Sequence, residues 1–497
     1  MSMLLCFSVV PLAAAFLIAL IGKRVKYFSD LIVNSAILVL LVFSLQLSWL
    51  VRSHKTIVYS VGGWQPPFGI CLVADGFSSF MLVVVNLVSF LVMVYAVSYM
   101  RKYTDKWKFH ALFMLMLAGM NGVILSGDLF NLYVFIEMAS ISGYVLVAYG
   151  IEAEDLEAAF KYAIMGSLAS IFILLGIGLL YSYTSTLNMA DISTVLAGRP
   201  NGSLVGFVSV LFLAGFGLKS ALVPFHAWLP DAHSSAPTPV SAALSGVFIK
   251  TLGIYALSRV FFNIIGVSHS VLHILMILGA ISMVVGALLA ISQNDIKRMF
   301  AYSSISQVGY IVLALGIGTP LAILGGLFHL FNHAISKSLL FLNAGAIEHS
   351  TGTRDLSKLG GLNNKIPVAG YTSLLGSMSI SGVPPFGGFW SKLIIVIAAV
   401  QAGYFGFAII AVLVSIVTLA YYLRFQTVAY FGKFKDAGKT IKEMFFSMKF
   451  AMVILALMCA ATGLLLLPPA RPFLDSAVNV LSSGSAYKEA VFGSIRQ

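Results

Sequence analysis

Charged residues are scarce in this chain. Asp, Glu, Lys and Arg make up only 10% of its 497 residues, whereas 59% are hydrophobic; a soluble domain carries about 25% charged residues. Cysteine is scarcer still. Cys6, Cys71 and Cys459 lie far apart and form no CxxC pair, so they give no sign of an iron–sulfur cluster, a zinc site or a disulfide framework. No soluble core explains this composition, and we expect neither a cofactor nor a metal.

Long apolar runs recur from one end of the chain to the other. Each is long enough to cross a bilayer as a helix, which takes about 18 residues or more. The first run is interpreted as a membrane helix because no basic segment or clear cleavage site accompanies it. The sequence therefore predicts an all-α integral membrane protein of about fourteen transmembrane helices, at residues 3–22, 31–51, 74–99, 110–127, 129–150, 160–183, 204–223, 241–263, 270–291, 299–318, 321–346, 367–402, 406–431 and 448–468.

The formal net charge is +12. A basic balance can indicate nucleic-acid binding, but here the lysines and arginines concentrate in alternate loops, such as those around Lys23, Arg101, Lys297 and Arg354. The positive-inside rule places these loops inside and both termini outside. By the same reasoning Arg259 is assigned to an outer segment. We therefore expect the partner of this basic surface to be a lipid bilayer and not nucleic acid.

Proline interrupts two of the predicted spans, at residues 219–233 (KSALVPFHAWLPDAH) and 381–392 (SGVPPFGGFWSK). Broken helices at membrane depth are tolerated only where protein or a water-filled cavity covers the freed backbone. The breaks lie five spans apart, each beside a lysine. This pattern predicts two inverted five-helix repeats, helices 4–8 and 9–13, with broken helices 7 and 12; passive kinks are the alternative. The resulting units are 1–100 with helices 1–3, 110–263 with the first repeat, 270–431 with the second repeat, and 448–497 with helix 14 and a tail.

Few ionisable side chains fall inside the predicted spans. A charge at the bilayer centre costs at least ~2.5–3.5 kcal/mol, so each one is a candidate functional group. The single acid deep in a span could form a static or a switchable ion pair with a lysine. Two histidines and a lysine spaced i, i+4, i+8 share one helix face, which predicts a proton relay or a structural hydrogen-bond ladder. The candidate proton-translocating residues are Glu137, Lys219, Lys250, His329, His333, Lys337 and Lys392.

The first break also contains His226, Asp231 and His233. Their spacing permits a metal site, but the surrounding prolines favour a loop and no fourth ligand is evident. We interpret the three as candidates for proton uptake or release, with a structural role as the alternative. Asp128, in the tight turn between the fourth and fifth runs, is expected to cap a helix or to pair with a neighbouring span.

Four motifs, in order along the chain, carry a resemblance to one family. They are residues 127–137 (GDLFNLYVFIE), 224–233 (PFHAWLPDAH), 329–337 (HLFNHAISK) and 385–392 (PFGGFWSK). The chain resembles the antiporter-like proton-pumping subunits shared by Mrp cation/proton antiporters, respiratory complex I and membrane-bound energy-converting hydrogenases. Residues 61–75 (VGGWQPPFGICLVAD) and 187–191 (LNMAD) look most like the D-type component of Mrp antiporters.

The resemblance implies translocation of protons, or of protons and Na⁺, by one subunit of a multi-subunit complex in the cell membrane of a prokaryote. It matches Glu137 and Lys219 to the family's ion pair, Lys250 to its central lysine, Lys392 to its terminal lysine, and the histidine stripe to its relay. The alternative is a proton-pumping subunit of a redox-driven complex, such as an energy-converting hydrogenase. Either assignment implies other membrane subunits as partners and no redox catalysis in this chain itself.

Two rival classes remain at this point. A quinone- or haem-binding redox subunit could use His329 and His333 as ligands, and a passive scaffold would need no row of buried ionisable groups. For a transporter, the inverted repeats predict half-channels that open to opposite sides. We expect proton uptake from the inside near Lys219 and release on the outer side near Lys392.

Overall fold

The computed structural model describes residues 3–25, 27–54, 56–198, 202–431, 433, 441–484 and 486–493. Nearly all of this part of the chain is helical. The helices are α1 Met3–Ile21, α2 Phe28–His54, α3 Gly76–Tyr99, α4 Lys106–Leu125, α5 Leu129–Val147, α6 Ala153–Thr184, α7 Met189–Ala197, α8 Ser203–Lys219, α9 Trp228–Ser235, α10 Thr238–Ile265, α11 His269–Ile291, α12 Ile296–Ile317, α13 Pro320–Thr351, α14 Pro367–Ser381, α15 Gly387–Gln401, α16 Phe405–Gln426, α17 Phe446–Ala461, α18 Pro472–Ser482 and α19 Ala486–Gly493.

The predicted helical membrane architecture is confirmed. Among the described residues, 11 helices are long and apolar enough to cross a membrane. Each of the remaining predicted runs also corresponds to a helix: α8 is shorter, α13 is long but polar, and the run 367–402 is split into α14 and α15. The total of about fourteen spans, the division into four units and the inverted relation of the two repeats stay predictions.

Close backbone contact joins α11 to α12. A Cβ atom added to Gly279 would lie 2.6 Å from the backbone nitrogen of Leu313 and 2.8 Å from the carbonyl oxygen of Gly309. One added to Gly286 would lie 2.5 Å from the nitrogen of Ser306. Small residues are enriched at membrane helix interfaces because they let two backbones approach in this way. The contact holds α12, which lines the centre of the molecule, against its neighbour.

Both predicted helix breaks are present, and both have their carbonyl ends satisfied. At the first, the Trp228 indole donates to the carbonyl of Leu218 at 3.1 Å and stacks on Tyr162 with ring centroids 4.3 Å apart. At the second, Ser415 donates to the carbonyl of Ser381 at 3.1 Å. Carbonyls at the end of a helix have no partner within that helix, so these side chains make the breaks tolerable at membrane depth.

Helix α10 is the most enclosed span, and much of it is π-helical. The π segments are Leu244–Phe248, Lys250–Tyr255 and Arg259–Ile265. Every residue of its apolar window is buried within the protein. π turns are rare and often occur at functional positions. They displace backbone carbonyls from ordinary α-helical pairing near Lys250.

A β-hairpin that the sequence analysis did not predict follows α2. Strands β1 Ile57–Ser60 and β2 Cys71–Ala74 pair antiparallel, with Ile57 opposite Ala74 and Ser60 opposite Cys71. The hairpin leads directly to Asp75, whose carboxylate caps α3 by accepting from the backbone nitrogens of Phe77 at 3.1 Å and Ser78 at 2.9 Å.

Asp75 also forms a buried ion pair with Arg259 of α10. The guanidinium donates to both carboxylate oxygens, at 2.7 and 2.9 Å, and both side chains are 2% exposed. The hydroxyl of Tyr255 accepts a further bond at 3.0 Å, and the ring of Tyr487 in the C-terminal tail lies 5.0 Å from the guanidinium. Arg259 is therefore a buried anchor between α10, the hairpin and the tail, and its assignment to the outer side stays a prediction.

The loops rich in basic residues share one end of the molecule. Asp231 pairs with Lys161 at 3.1 Å and Arg298 at 2.8 Å, and Arg354 pairs with Asp295 at 3.4 Å. The hairpin and the tail lie together at the other end through Arg259 and its neighbours. This grouping agrees with the alternation of basic and non-basic loops from which the orientation was predicted, but which end faces the cell interior stays a prediction. Six further basic residues that entered that prediction lie outside the described residues, namely Lys26, Lys55, Arg199, Lys435, Lys439 and Arg496.

We predict that the Asp75–Arg259 pair contributes strongly to stability. Removing one partner of a buried ion pair leaves an uncompensated charge and costs about 3–5 kcal/mol. Asp75→Ala should cost about 1 kcal/mol more than Arg259→Met, because it also removes the cap of α3. Chemical unfolding in detergent micelles measures both. Arg471→Gln, which removes an exposed ion pair with Asp475 at 3.3 Å, is the control and should change little. Wild-type stability of Arg259→Met would refute the prediction.

Candidate functional site

Glu137 and Lys219 form the ion pair at one side of the molecule. Lys219 is the last residue of α8, and its Nζ lies 3.6 Å from Glu137 Oε1 on α5. The lysine side chain is 3% exposed and the glutamate 26% exposed. Lys219 also donates to Ser140 Oγ at 2.8 Å, and Ser170 of α6 donates to the same glutamate oxygen. The charges are thus in contact, but each keeps a neutral hydroxyl partner that could hold it if the two separated.

Lys250 lies at the centre and is fully buried. Its ammonium donates to the carbonyl oxygen of Ser245, one π turn earlier in α10. The Ser245 hydroxyl is 2.8 Å from that of Ser304 on α12, which in turn donates to the carbonyl of Phe300 at 2.9 Å. The central lysine is therefore held by neutral groups that lead from α10 to α12.

Lys337 of α13 continues this chain of contacts. Its ammonium donates to the carbonyl of Phe300 at 3.0 Å and to the hydroxyl of Tyr422 on α16 at 2.9 Å. Tyr422 lies 3.1 Å from the hydroxyl of Ser303, to which Tyr421 also donates. Lys337 and Ser304 therefore contact the same atom, the carbonyl oxygen of Phe300. Ser304 in turn contacts Ser245, whose carbonyl binds Lys250.

His329 and His333 lie on the same face of α13 as Lys337, as predicted from their spacing. His329 Nδ1 is 3.0 Å from Ser391 Oγ on α15, and the two imidazole centroids are 6.4 Å apart. Neither nitrogen of His333 has a hydrogen-bond partner among the residues that the structure describes. Since both rings project from one helix, they do not face each other across a cavity as a pair of haem ligands would.

Lys392 lies at the other side, beside the second helix break. Its Nζ donates to Ser415 Oγ at 3.2 Å and to the carbonyl of Ser381 at 3.4 Å, and lies 4.8 Å from the ring centroid of Tyr310. The side chain lines a cavity of about 270 Å³ together with Ser381 and Ser415. The second break thus supplies the carbonyl that binds the lysine.

The three residues of the first break do not converge. Asp231 is taken up by its ion pairs with Lys161 and Arg298, His226 is half-buried in the loop before α9, and His233 is fully buried against the ring of Phe341, 5.0 Å away. Within the described ranges no three His, Cys, Asp or Glu residues lie where they could hold one metal ion. Asp231 and His233 lie on helix α9, so the expected loop covers only the part of the break before Trp228.

Asp128 caps α5, which is one of the two roles expected for it. Its carboxylate accepts from the backbone nitrogen of Asn131 at 2.8 Å. It lies in the turn that follows α4, where Ser126 bridges to Leu72 of the hairpin. This places Asp128 at the hairpin end of the molecule and not beside Lys219.

Several polar residues of the site were missed by the sequence analysis. Tyr422 accepts a hydrogen bond from Lys337, and the hydroxyls of Ser245 and Ser304 connect the surroundings of the two central lysines, but all three residues look ordinary in an apolar run. Lys297, assigned to a loop, is 1% exposed, and Glu348, at the polar end of α13, accepts a hydrogen bond from Tyr99 at 3.0 Å. These hydroxyl groups can be recognised only in the structure, where they meet across facing helices.

This arrangement, with charged side chains at helix breaks and in π turns of a helical membrane protein, defines an ion-translocating membrane protein. The chain matches the family described as NADH:quinone oxidoreductase/Mrp antiporter, TM, over residues 126–418, and the complex I chain 5 N-terminus over residues 59–110. It belongs to the NADH:quinone oxidoreductase/Mrp antiporter family, which confirms the resemblance read from its motifs.

Relatives from both branches of the family are similar to the chain. It is 31% identical over 495 residues to the D-type component of the Na(+)/H(+) antiporter of Bacillus subtilis, with 97% of each chain covered. It is 39% identical over 385 residues to the N-type component of the NADH-quinone oxidoreductase of Desulforudis audaxviator, with 76% of each covered. Its fold matches a chain in the structure of the Mrp complex from Dietzia with a TM-score of 0.92, 27% identity and 99% coverage of both chains.

We predict an ordered water molecule beside His333. A buried ring nitrogen without a partner is costly, and buried polar groups that protein does not satisfy are usually satisfied by water. A high-resolution cryo-EM map of the assembled complex should show density about 2.7–3.2 Å from one of its nitrogens. His329 Nδ1, already paired with Ser391, serves as the internal comparison. Apolar atoms packed directly against both nitrogens of His333 would contradict the prediction.

Proposed function

We propose that this chain translocates protons in exchange for a cation such as Na⁺, as the D-type member of a multi-subunit Mrp-type antiporter. The observation that carries the proposal is the Glu137–Lys219 pair. It is the one contact between a buried lysine and a carboxylate in the described chain. It lies at one end of a row of lysines, and the other lysines of that row are bound to neutral groups. The similarity to the D-type antiporter component along nearly the whole chain supports it.

The pair can act as a switch because its members have different environments. Lys219 is almost fully buried, whereas Glu137 is about one quarter exposed. With the carboxylate in contact, the ammonium is compensated. If Glu137 turns toward its open side, the buried ammonium loses its counter-charge, and release of a proton relieves the cost of an isolated charge in a low-dielectric interior. Ser140 and Ser170 supply bonds for the separated groups.

The remaining lysines provide the path for the released charge. We propose that it passes from Lys219 to Lys250, then through Ser304 and Lys337 and the histidine stripe to Lys392. Lysine suits each position because a buried ammonium gives up its proton when another positive charge approaches. In this scheme protons are taken up from the inside near Lys219 and released on the outer side near Lys392. The bilayer is that of a prokaryotic cell, with both termini outside.

A redox-driven pump is the second candidate. It is supported by the 39% identity to a component of an NADH-quinone oxidoreductase, and the same row of lysines would serve it. The two candidates differ in what drives the protons. Addition of Na⁺ to energised vesicles should dissipate a proton gradient if the complex is an antiporter, whereas a redox-driven complex pumps only when an electron donor is supplied.

We predict that Glu137→Gln and Lys219→Ala each abolish ion transport and leave assembly intact, because each removes one half of the switch. Antiport in inverted vesicles, followed by a pH-sensitive dye after Na⁺ addition, measures the effect. Glu157→Gln is the control, since Glu157 pairs with Lys161 at 2.7 Å on the exposed face of α6. Wild-type transport by either Glu137→Gln or Lys219→Ala would contradict the proposed switch.

We predict that Lys392→Ala stops transport, whereas Lys392→Glu keeps part of it. A carboxylate can also bind and release a proton in the cavity beside Ser415, but alanine cannot. The same vesicle assay compares the two variants, with the amount of assembled complex measured in parallel. Normal transport by Lys392→Ala would be incompatible with a terminal role for Lys392, and labelling of Lys392 from the inner side alone would reverse the proposed direction.

A further inference from the structure

A cavity of about 510 Å³ lies where α1 and α3 end and where α2 and α4 begin. Its lining includes Lys23, Arg101 and Trp107. Tyr99, at the end of α3 beside this lining, donates to Glu348 at 3.0 Å. The cavity therefore lies at the end of the molecule that carries the basic loops, and the proposed path of protons does not pass through it.

The two acidic side chains in the lining of this cavity are already paired. Asp30 lies 2.5 Å from Lys106, and Asp105 lies 2.7 Å from Lys108. Because two helices end and two begin at the cavity, their dipoles largely cancel there. The charge of the cavity is therefore decided by its side chains, and neither carboxylate is left for a further cation.

Lys23 and Arg101 are the two cations of the lining that have no counter-charge. In the described part of the chain, no carboxylate lies within ion-pair distance of either one. The guanidinium carbon of Arg101 lies 5.5 Å from the ring centroid of Phe445. A ring over the face of a guanidinium leaves the N–H groups at its edge able to donate. The cavity thus offers an ammonium and a guanidinium, which both form strong hydrogen bonds to phosphate.

Exposed apolar side chains flank the cavity on α1 and α2. Leu20 and Ile21 in the last turn of α1 and Leu31 in the first turn of α2 are exposed, and α2 is the least buried of the candidate spans in the described chain. Tyr27 and Trp107 of the lining carry aromatic rings of the kind that concentrate at membrane interfaces. A basic cavity at the level of the helix ends, beside an apolar surface, matches a molecule with an anionic head and apolar tails.

We propose that this cavity binds the phosphate of an anionic phospholipid, with Lys23 and Arg101 as its ligands and with the acyl chains along α1 and α2. Basic pockets between membrane helices are suited to the headgroups of such lipids. The turn after α1 lies close to the start of α4, since a Cβ atom on Gly22 would be 3.0 Å from the Cβ of Trp107. The bound phosphate joins this turn to the loop between α3 and α4. The site does not depend on the proposed translocation of protons.

The test measures lipid binding to the assembled complex by native mass spectrometry. The probe is dioleoylphosphatidylglycerol, and the comparison is dioleoylphosphatidylcholine, which has the same acyl chains but no net charge. Lys23→Gln combined with Arg101→Gln should weaken binding of phosphatidylglycerol about tenfold or more, because each change removes a charged hydrogen bond to phosphate. Binding of phosphatidylcholine should not change. Lys358→Gln combined with Lys442→Gln, which removes two exposed charges outside the cavity, is the matched control.

Three results would overturn the site. The first is equal binding of phosphatidylglycerol by the wild type and by the Lys23→Gln, Arg101→Gln variant. The second is displacement of the lipid by an excess of inorganic phosphate, because the cavity would then be a site for a free anion. The third is a map of the complex in which a neighbouring subunit fills the cavity. Should the double variant fail to assemble, Lys23→Gln alone decides, since Lys23 lies in an exposed turn. Transport by Glu137→Gln tests the proposed function separately.

Discussion

The central constraint on this fold is that it must accommodate five buried lysines, only one of which contacts a carboxylate. Among the described residues, Lys219, Lys250, Lys297, Lys337 and Lys392 are all buried, yet only Lys219 lies within ion-pair distance of an acid, Glu137. A buried charge without an opposite charge must be hydrogen-bonded or give up its proton. The fold meets this requirement mainly with neutral oxygens, and the proposed exchange of protons between the lysines depends on it. A row of tight ion pairs would have held each proton in place.

For three of these lysines, a neutral carbonyl oxygen comes from a place where helical pairing is broken. Lys250 is bound by the carbonyl of Ser245 in a π turn, Lys392 by that of Ser381 at the second break, and Lys297 by that of Ala236 between α9 and α10. A regular helix uses its carbonyls internally, so it has few to offer to a lysine. The prolines and π turns are therefore part of the lysine sites and not separate irregularities. The same reasoning explains why the breaks occur beside lysines.

The sequence was most informative where a charge interrupts a long apolar run. Lys219, Lys250 and Glu137 could be identified because the membrane makes each of them costly. Arg259 and Lys297 lie near the ends of runs, where exposure to solvent is an equally good interpretation, yet the structure buries both. The hydroxyl partners Ser304 and Tyr422 could not be identified, because serine and tyrosine are common in membrane helices and only the facing helix gives them a role.

The anchoring of α10 limits how the central lysine can move. At the end near the hairpin, Arg259 donates from two guanidinium nitrogens to Asp75, and Tyr255 donates to the carbonyl of Ile124 at 2.5 Å. At its other end Thr238 contacts Tyr99, and a Cβ atom on Gly345 would lie 2.7 Å from the Thr238 hydroxyl oxygen. A helix held at both ends cannot shift as a rigid rod. Any change at Lys250 must be local, and the π turns around it provide that freedom, because converting one π turn to an α turn alters which carbonyl faces the lysine without moving either anchor.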